Sequence, residues 1–328
     1  MRNLITGGAG FVGSHLTEHL LGRGDEVFIL DNLSTGAISN LDGCRDHPKL
    51  HYHCGDALGD PILAELVDRC DRIYHLAAAV GVRLIVEDPV HTIETNISGT
   101  EAVLGLAVKK KKPVLIASTS EVYGKSSQIP FREDGDMVLG PTSKGRWAYA
   151  CSKAVDEFLA IAYFKSKGLP TVVVRLFNTV GPRQTGQYGM VIPNFVCQAL
   201  AGKPITVYGD GKQSRCFGYV GDVAPGLVSL MDTAKCYGQV FNIGNDQEIT
   251  IEDLAKLVIS KVDPSLGIKY IPYSEAYQAE DFEDMQRRVP DLSKIRGAIG
   301  YEPKTNVDQI IDNVIAYFRE HESERVTV

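Results

Sequence analysis

The sequence predicts an α/β protein in which a doubly wound parallel sheet carries a smaller, interleaved C-terminal lobe. Three observations lead there. Short apolar runs alternate with stretches that are apolar at a spacing near 3.6 through the first half of the chain, the β–α alternation of a parallel sheet covered on both faces. Glycines at positions 7, 10 and 13 directly follow the first apolar run. Beyond Asn178 the pattern loosens into segments rich in Gly and Pro before longer helices return.

Each element has its own justification. Strands are expected where apolar and β-branched residues run together, at Asn3–Thr6, Val27–Leu30, Leu50–His53, Arg72–Leu76, Pro113–Ser118 and Thr171–Leu176. Helices are expected between them, at Ser14–Leu21, Pro61–Arg69, His91–Val108 and Trp147–Lys167. The basic run Lys109–Lys112 stands where the third helix ends, a position its dipole favours for cations. After Asn178 come GPRQTGQYG and YGDGKQSRCF, then a last sheet strand at Val240–Ile243 and helices at Ile251–Lys261 and Val307–Phe318. A chain of 328 residues exceeds the usual single core. It divides into residues 1–178 plus about 217–250, carrying the sheet, and about 179–216 plus 251–328, forming the lobe. The polar end, His321–Val328, is expected to fray.

The glycine turn is the first chemical signal. A strand, a tight Gly7-x-x-Gly10-x-x-Gly13 turn and a helix are what a dinucleotide pyrophosphate needs. Glycine lets the backbone turn and approach the phosphates, and the helix presents unpaired N–H groups to the anion. The second apolar run ends in Asp31, placed to accept both ribose hydroxyls of the adenosine half and to repel a 2′-phosphate. The expected cofactor is therefore NAD rather than NADP.

Composition narrows the partners. Hydrophobic residues make up 44% and charged residues 23%, with a net charge of −7, which argues against a nucleic-acid surface. No apolar stretch approaches the ~20 residues of a membrane span. The N-terminus reads as the first strand, so no signal peptide is expected. Seven scattered cysteines form no Cys-x-x-Cys pair, and the expected location is the reducing cytoplasm. Alternation across Leu50–Cys54 sends His51 and His53 to a face opposite their neighbours, and no metal site is expected.

Further motifs occur in order: Asp56, Leu76-Ala77-Ala78, Ser118-Thr119-Ser120 and Tyr149-x-x-x-Lys153. With the glycine turn they resemble the extended short-chain dehydrogenase/reductase family, in its nucleotide-sugar branch, essentially end to end. The resemblance implies a Rossmann-type sheet with NAD held by Gly7, Gly10, Phe11, Val12, Gly13, Asp31, Asn32, Asp56, Ala57, Leu76, Ala77, Ala78, Tyr149 and Lys153. The physics of the pair stands beside it. Tyr149 and Lys153 are four apart and share a helix face. An ammonium about 4 Å away is worth roughly 4 kcal/mol at an effective dielectric near 20, a shift of about three pKa units. The phenol is thus expected to become a usable base for a sugar hydroxyl held by Thr119, while the sugar carbon gives hydride to NAD.

The branch is read from fewer residues. Glu121, two beyond Thr119, is expected on the same strand face near the sugar. Thr-Ser-Glu resembles UDP-glucuronate decarboxylases and apiose synthases, and the block Gly145–Tyr149 resembles the Arg-Trp-x-Tyr of the apiose synthases and of the lipid-A arabinose-pathway decarboxylase. Phe282–Asp291 is similar to their Arg-x-Pro-Asp segment, where Arg288 matches the arginine beside the substrate carboxylate. A 4-keto uronic acid is a β-keto acid that loses CO₂ readily, with an arginine to orient the carboxylate and an acid to reprotonate C5. Ala79–Arg83 instead resembles 4-epimerases, and Arg83 is a second candidate for the carboxylate. The resemblance also places Asn178, Val191, Phe195 and Arg215 on a UDP-sugar, and implies a homodimer through the helices at His91–Val108 and Trp147–Lys167. Decarboxylation of UDP-glucuronate to UDP-xylose is the first expectation and 4-epimerisation the alternative. A non-catalytic NAD-binding scaffold is the remote one.

Overall fold

The computed structural model describes residues 1–79, 88–186, 190–272, 275, 285 and 287–322. The first half runs β1 (Arg2–Thr6), α1 (Phe11–Gly22), β2 (Glu26–Asp31), β3 (Leu50–Cys54), α2 (Ile62–Arg69), β4 (Arg72–His75), α3 (Pro89–Ala107), β5 (Val114–Thr119), α4 (Arg146–Lys167) and β6 (Thr171–Leu176). The second half begins with β7 (Thr179–Val180), α5 (Val191–Leu200), β8 (Ile205–Tyr208), β9 (Ser214–Cys216), β10 (Gly218–Tyr219), α6 (Val220–Asp232) and β11 (Gln239–Ile243). It continues with β12 (Glu248–Thr250), α7 (Ile251–Val262), β13 (Ile268–Ile271), β14 (Arg287–Arg288), α8 (Ser293–Ile299) and α9 (Val307–Glu320).

Seven of these strands pair in parallel in one sheet, in the order β3-β2-β1-β4-β5-β6-β11. Both faces are buried, and the alternation along a strand shows it. Val172 and Val174 of β6 enter one core and Val173 the other. Val27 and Ile29 of β2 likewise oppose Phe28 and Leu30. Continuous apolar runs are therefore required here, where a one-sided sheet would alternate. The first core takes Leu16 and Leu20 of α1, Val223 and Leu227 of α6 and Ile295 of α8. The opposite core takes Leu66 of α2, Val103 and Leu104 of α3 and Ala160 of α4.

From β1 the chain builds outward to β2 and β3, then returns to place β4 on the other side of β1. That reversal opens a crevice at the carboxyl ends of β1 and β4. Its lips are tied to the sheet: the Gly7 N–H donates to Leu30 O at 2.9 Å and the Leu76 N–H to Thr6 O at 3.0 Å. Helix α1 starts at Phe11, three residues earlier than expected, so Gly13 lies inside its first turn. Helix α3 also starts early, at Pro89, because the Asp88 carboxylate accepts the His91 N–H at 3.0 Å and proline fits a first helical position. Strand β11 returns the late chain to the sheet, while α5, α7, α9, β8 and β13 share a separate apolar core, with Phe195, Val207, Leu254 and Val314 at its centre. No helix among the described residues is long and apolar enough to cross a membrane.

Candidate active site

A cleft of about 730 Å³ runs along the carboxyl ends of the central strands and under the lobe. Among the residues expected at the cofactor, Gly7, Gly10, Phe11, Val12, Gly13, Asp31, Asn32, Asp56, Ala57, Leu76, Ala77, Ala78 and Tyr149 line it. Thr119, Glu121, Asn178, Val191, Phe195, Arg215 and Arg288 line it as well. Lys153 does not; it is buried behind the wall. Arg83 lies outside the described residues.

At the glycine turn the backbone leaves no room for side chains. Gly7 has φ +75°, and a Cβ there would sit 2.7 Å from the Ala77 nitrogen. A Cβ on Gly13 would sit 2.1 Å from the Gly7 oxygen, so this glycine lets the helix close onto the turn. Asp31 ends β2 and takes backbone N–H groups from Ala9 at 2.9 Å and Leu33 at 2.8 Å. Burial raises its pKa and these donors oppose the rise.

Thr119 closes β5, and its hydroxyl accepts the Glu121 N–H at 3.2 Å, capping a single 3₁₀ turn over Ser120–Tyr123. Glu121 is thus on a turn, not on the strand face the alternation predicts. The cap bends the chain at Thr119 and still delivers the carboxylate to the cleft. There it meets two buried guanidiniums: Arg288 Nη2 at 2.6 Å and Arg146 Nη2 at 3.3 Å. Burial pushes the Glu121 pKa up, but Arg288 and Arg146 outweigh it and hold the carboxyl below the usual range. The expected proton donor is therefore an ionised group in this state of the site.

Arg287 and Arg288 diverge because β14 is extended. Arg287 faces outward and pairs with Glu248 at 2.8 Å, whereas Arg288 is buried and reaches Asn178 Oδ1 at 3.4 Å. Asn178, at φ +33°, donates its amide to Cys216 O at 2.8 Å, which fixes the side chain at the junction of sheet and lobe. Arg215 of β9 donates to Ser214 O at 2.8 Å. Val191 opens α5 at the rim, and Phe195 belongs as much to the lobe core as to the cleft wall.

The Tyr149 and Lys153 side chains depart most from expectation. The Tyr149 pKa stands well above its ordinary value, raised by burial first, then by Glu121, eased by the Thr119 hydroxyl and raised again by Asp156. Lys153 donates to Asp156 Oδ2 at 2.7 Å, with the two side chains 2% and 0% exposed. Its charge is spent on a buried carboxylate, so the depressed phenol expected from a free ammonium is absent here. Asp156 was missed in sequence although it stands three beyond Lys153, on the same helix face. Arg146 was missed as a site residue on the same grounds, three before Tyr149. Asn96 of α3 is a third: it accepts the Ala79 N–H at 2.8 Å and donates to Ser152 Oγ at 3.1 Å, joining the cleft wall after β4 to α4.

A parallel sheet with a reversal point, a glycine turn and a Thr, Tyr and Lys set behind it define a dinucleotide-dependent oxidoreductase fold of the extended short-chain type. The chain belongs to the family described as GDP-mannose 4,6 dehydratase, whose model matches residues 4–314. It is 40% identical, over 98% of its length and 99% of the relative, to UDP-N-acetyl-alpha-D-glucosaminuronate decarboxylase of Bacillus cytotoxicus. It is 39% identical to UDP-glucuronic acid decarboxylase 1 of Arabidopsis thaliana, covering 97% of this chain and 70% of that one. Among solved structures it is similar to a mutant UDP-glucuronic acid 4-epimerase from Bacillus cereus in complex with UDP-4-deoxy-4-fluoro-glucuronic acid and NAD. That match has a TM-score of 0.88, 27% identity, and 98% and 100% coverage of the two chains.

Proposed function

We propose that the chain is an NAD-dependent decarboxylase of a UDP-hexuronic acid, with UDP-glucuronate as first substrate and UDP-xylose as product. The observation that carries the reading is the buried Arg288–Glu121–Arg146 cluster in the cleft, a charge arrangement suited to one more carboxylate. The decarboxylase names of the 39–40% identical relatives support it.

The residues present fit NAD: a side chain at Gly7 or Gly13 would strike backbone, and Asp31 stands beside the cleft at the end of β2. When bound, NAD would supply a reversible acceptor for the C4 hydride. Gly7, Gly10 and Gly13 would hold the pyrophosphate, Asp31 and Asn32 the adenosine ribose, and Asp56 and Ala57 the adenine side. Leu76, Ala77 and Ala78 line the opposite wall.

On the substrate, Thr119 holds the C4 hydroxyl and Tyr149 removes its proton as the C4–H bond breaks. The resulting β-keto acid loses CO₂ when the C5–C6 bonding pair moves onto C5 and the ketone oxygen. Arg288 orients the departing carboxylate. An incoming carboxylate on Arg288 draws that guanidinium away from Glu121 and raises its proton affinity, so that Glu121 takes a proton from solvent and passes it to C5. Asn178 and Arg215 hold the diphosphate, with Val191 and Phe195 against the uracil. The segments about 179–216 and 251–328 act as the nucleotide-sugar lobe. Seven scattered cysteines with no Cys-x-x-Cys pair suit a reducing cytoplasm. A second copy of the chain covers α3 and α4, where Val90, Ile93 and Phe158 stand exposed.

Incubation with UDP-glucuronate and with its 2-acetamido analogue, followed by mass spectrometry, tests the reading. Loss of CO₂ from either sugar supports it, and the sugar that reacts faster names the substrate. An unchanged mass with inverted C4 overturns it in favour of 4-epimerisation, the reaction in the name of the similar Bacillus cereus protein.

A further inference from the structure

Asp156 pairs with Lys153 yet is not among the residues that line the cleft. It lies on α4 within the core, fully buried, one turn beyond Lys153 and two beyond Tyr149. A buried carboxylate carries a large desolvation cost and persists only with a partner. Its partner is the Lys153 ammonium at 2.7 Å. The next residue, Glu157, is not interchangeable with it. Glu157 is taken by Arg175, with Nη2 at 2.7 Å and Nε at 3.0 Å, and by the Ser118 hydroxyl. The two acids on one helix thus serve two cations, and only Asp156 reaches the lysine.

We propose that Asp156 is a positioning residue for proton transfer: it holds the Lys153 ammonium toward itself and sets how much of that charge reaches the Tyr149 phenol. The proposal rests on Tyr149 being the base. The groups facing this pair come from every neighbouring element. Tyr149 faces Glu121 and Thr119. Lys153 also acts on His75 of β4, a buried ring whose other contact is the Thr6 hydroxyl at 2.7 Å. Asp156 faces Glu157 and the Thr100 hydroxyl of α3. Arg146 and Arg288 are engaged by Glu121. Among these, Asp156 and Glu121 are the anions that oppose ionisation of the phenol.

The sign follows. Removing the Asp156 charge takes an anion from the neighbourhood of the phenol and leaves Lys153 uncompensated. Both changes favour the phenolate, so the phenol ionises at lower pH.

The test compares wild type, Asp156→Asn and Asp156→Glu by two readouts. The first is the ultraviolet titration of the phenol in the cofactor-free chain, taken as the difference from Tyr149→Phe. The second is the pH profile of kcat in the NAD-loaded enzyme. The expected result is a tyrosinate transition and an acidic limb that both move down by about one unit in Asp156→Asn, a tenfold effect. In Asp156→Glu, where the charge remains, both should stay near the wild-type values. An unmoved or upward transition in a folded Asp156→Asn protein overturns the proposal. So does an equal downward shift in Asp156→Glu. Loss of fold in Asp156→Asn alone, seen by circular dichroism, also overturns it, since the carboxylate would then serve the chain's stability. Turnover retained in Tyr149→Phe would instead refute the base assignment, a distinct outcome.

Discussion

Glu121 shows how little of a site's chemistry a residue's type decides. As a lone carboxylic acid it reads as a proton donor; between Arg288 and Arg146 it is an anion. The folded-state pKa lies below the unfolded value, so the group stabilises the fold fully above the unfolded pKa. That contribution is lost as pH falls through the folded pKa. The difference in unfolding free energy between wild type and Glu121→Gln should be constant above about pH 5 and shrink below about pH 4. Urea unfolding across that range checks it, and a difference that grows on acidification would contradict the pairing. Arg288→Ala should lower kcat/KM for a UDP-hexuronate by roughly 10²–10³, the order found for one preorganised donor. The strand end and the helix face were legible in sequence, and they bring the Thr119 hydroxyl to the Tyr149 phenol, while Lys153 turns to Asp156. The partner of Lys153 was not, because Asp156 reads as an ordinary polar helix position until burial is known.

At the scale of elements, the join of β1 to α1 carries the cofactor reading. Gly13→Ala would drive a Cβ to 2.1 Å from the Gly7 oxygen, so NAD binding measured by calorimetry should be lost and the fold weakened. Gly22, at the end of the same helix, meets nothing within 4 Å. Gly22→Ala should therefore bind NAD normally and gain up to about 1 kcal/mol from helix propensity alone. All seven sheet strands were legible: the central ones because burial on both faces demands continuous apolar runs, and the edge strand β3, Leu50–Cys54, by its alternation. The 3₁₀ turn after β5 was not, because strand alternation gives no sign that the Thr119 hydroxyl will cap the next residues. The starts of α1 and α3 were misread for a related reason: a glycine inside a helix and an Asp-Pro cap both resemble loop.

The whole molecule sets a seven-stranded sheet beside a second apolar core, with Asn178 and Arg288 3.4 Å apart at the seam. The return of the late chain to the sheet was legible from the apolar run at Val240–Ile243. How the short β9, β12 and β14 would pair was not, since three-residue and two-residue strands leave no periodicity to read. Phe158 on α4 is 66% exposed, a large apolar side chain that a second copy would cover. Phe158→Arg should convert dimers to monomers in sedimentation equilibrium; an unchanged wild-type monomer would contradict the dimer. Tyr149 as the base requires the sugar to be oxidised at C4 before anything else happens to it. The direct measurement mixes NAD-loaded protein with UDP-glucuronate and follows the absorbance of the reduced cofactor in a single turnover. A transient rise and fall in wild type, absent in a Tyr149→Phe protein that still binds NAD, is the predicted result. Product formed with no such transient, or a transient undiminished in Tyr149→Phe, would contradict it.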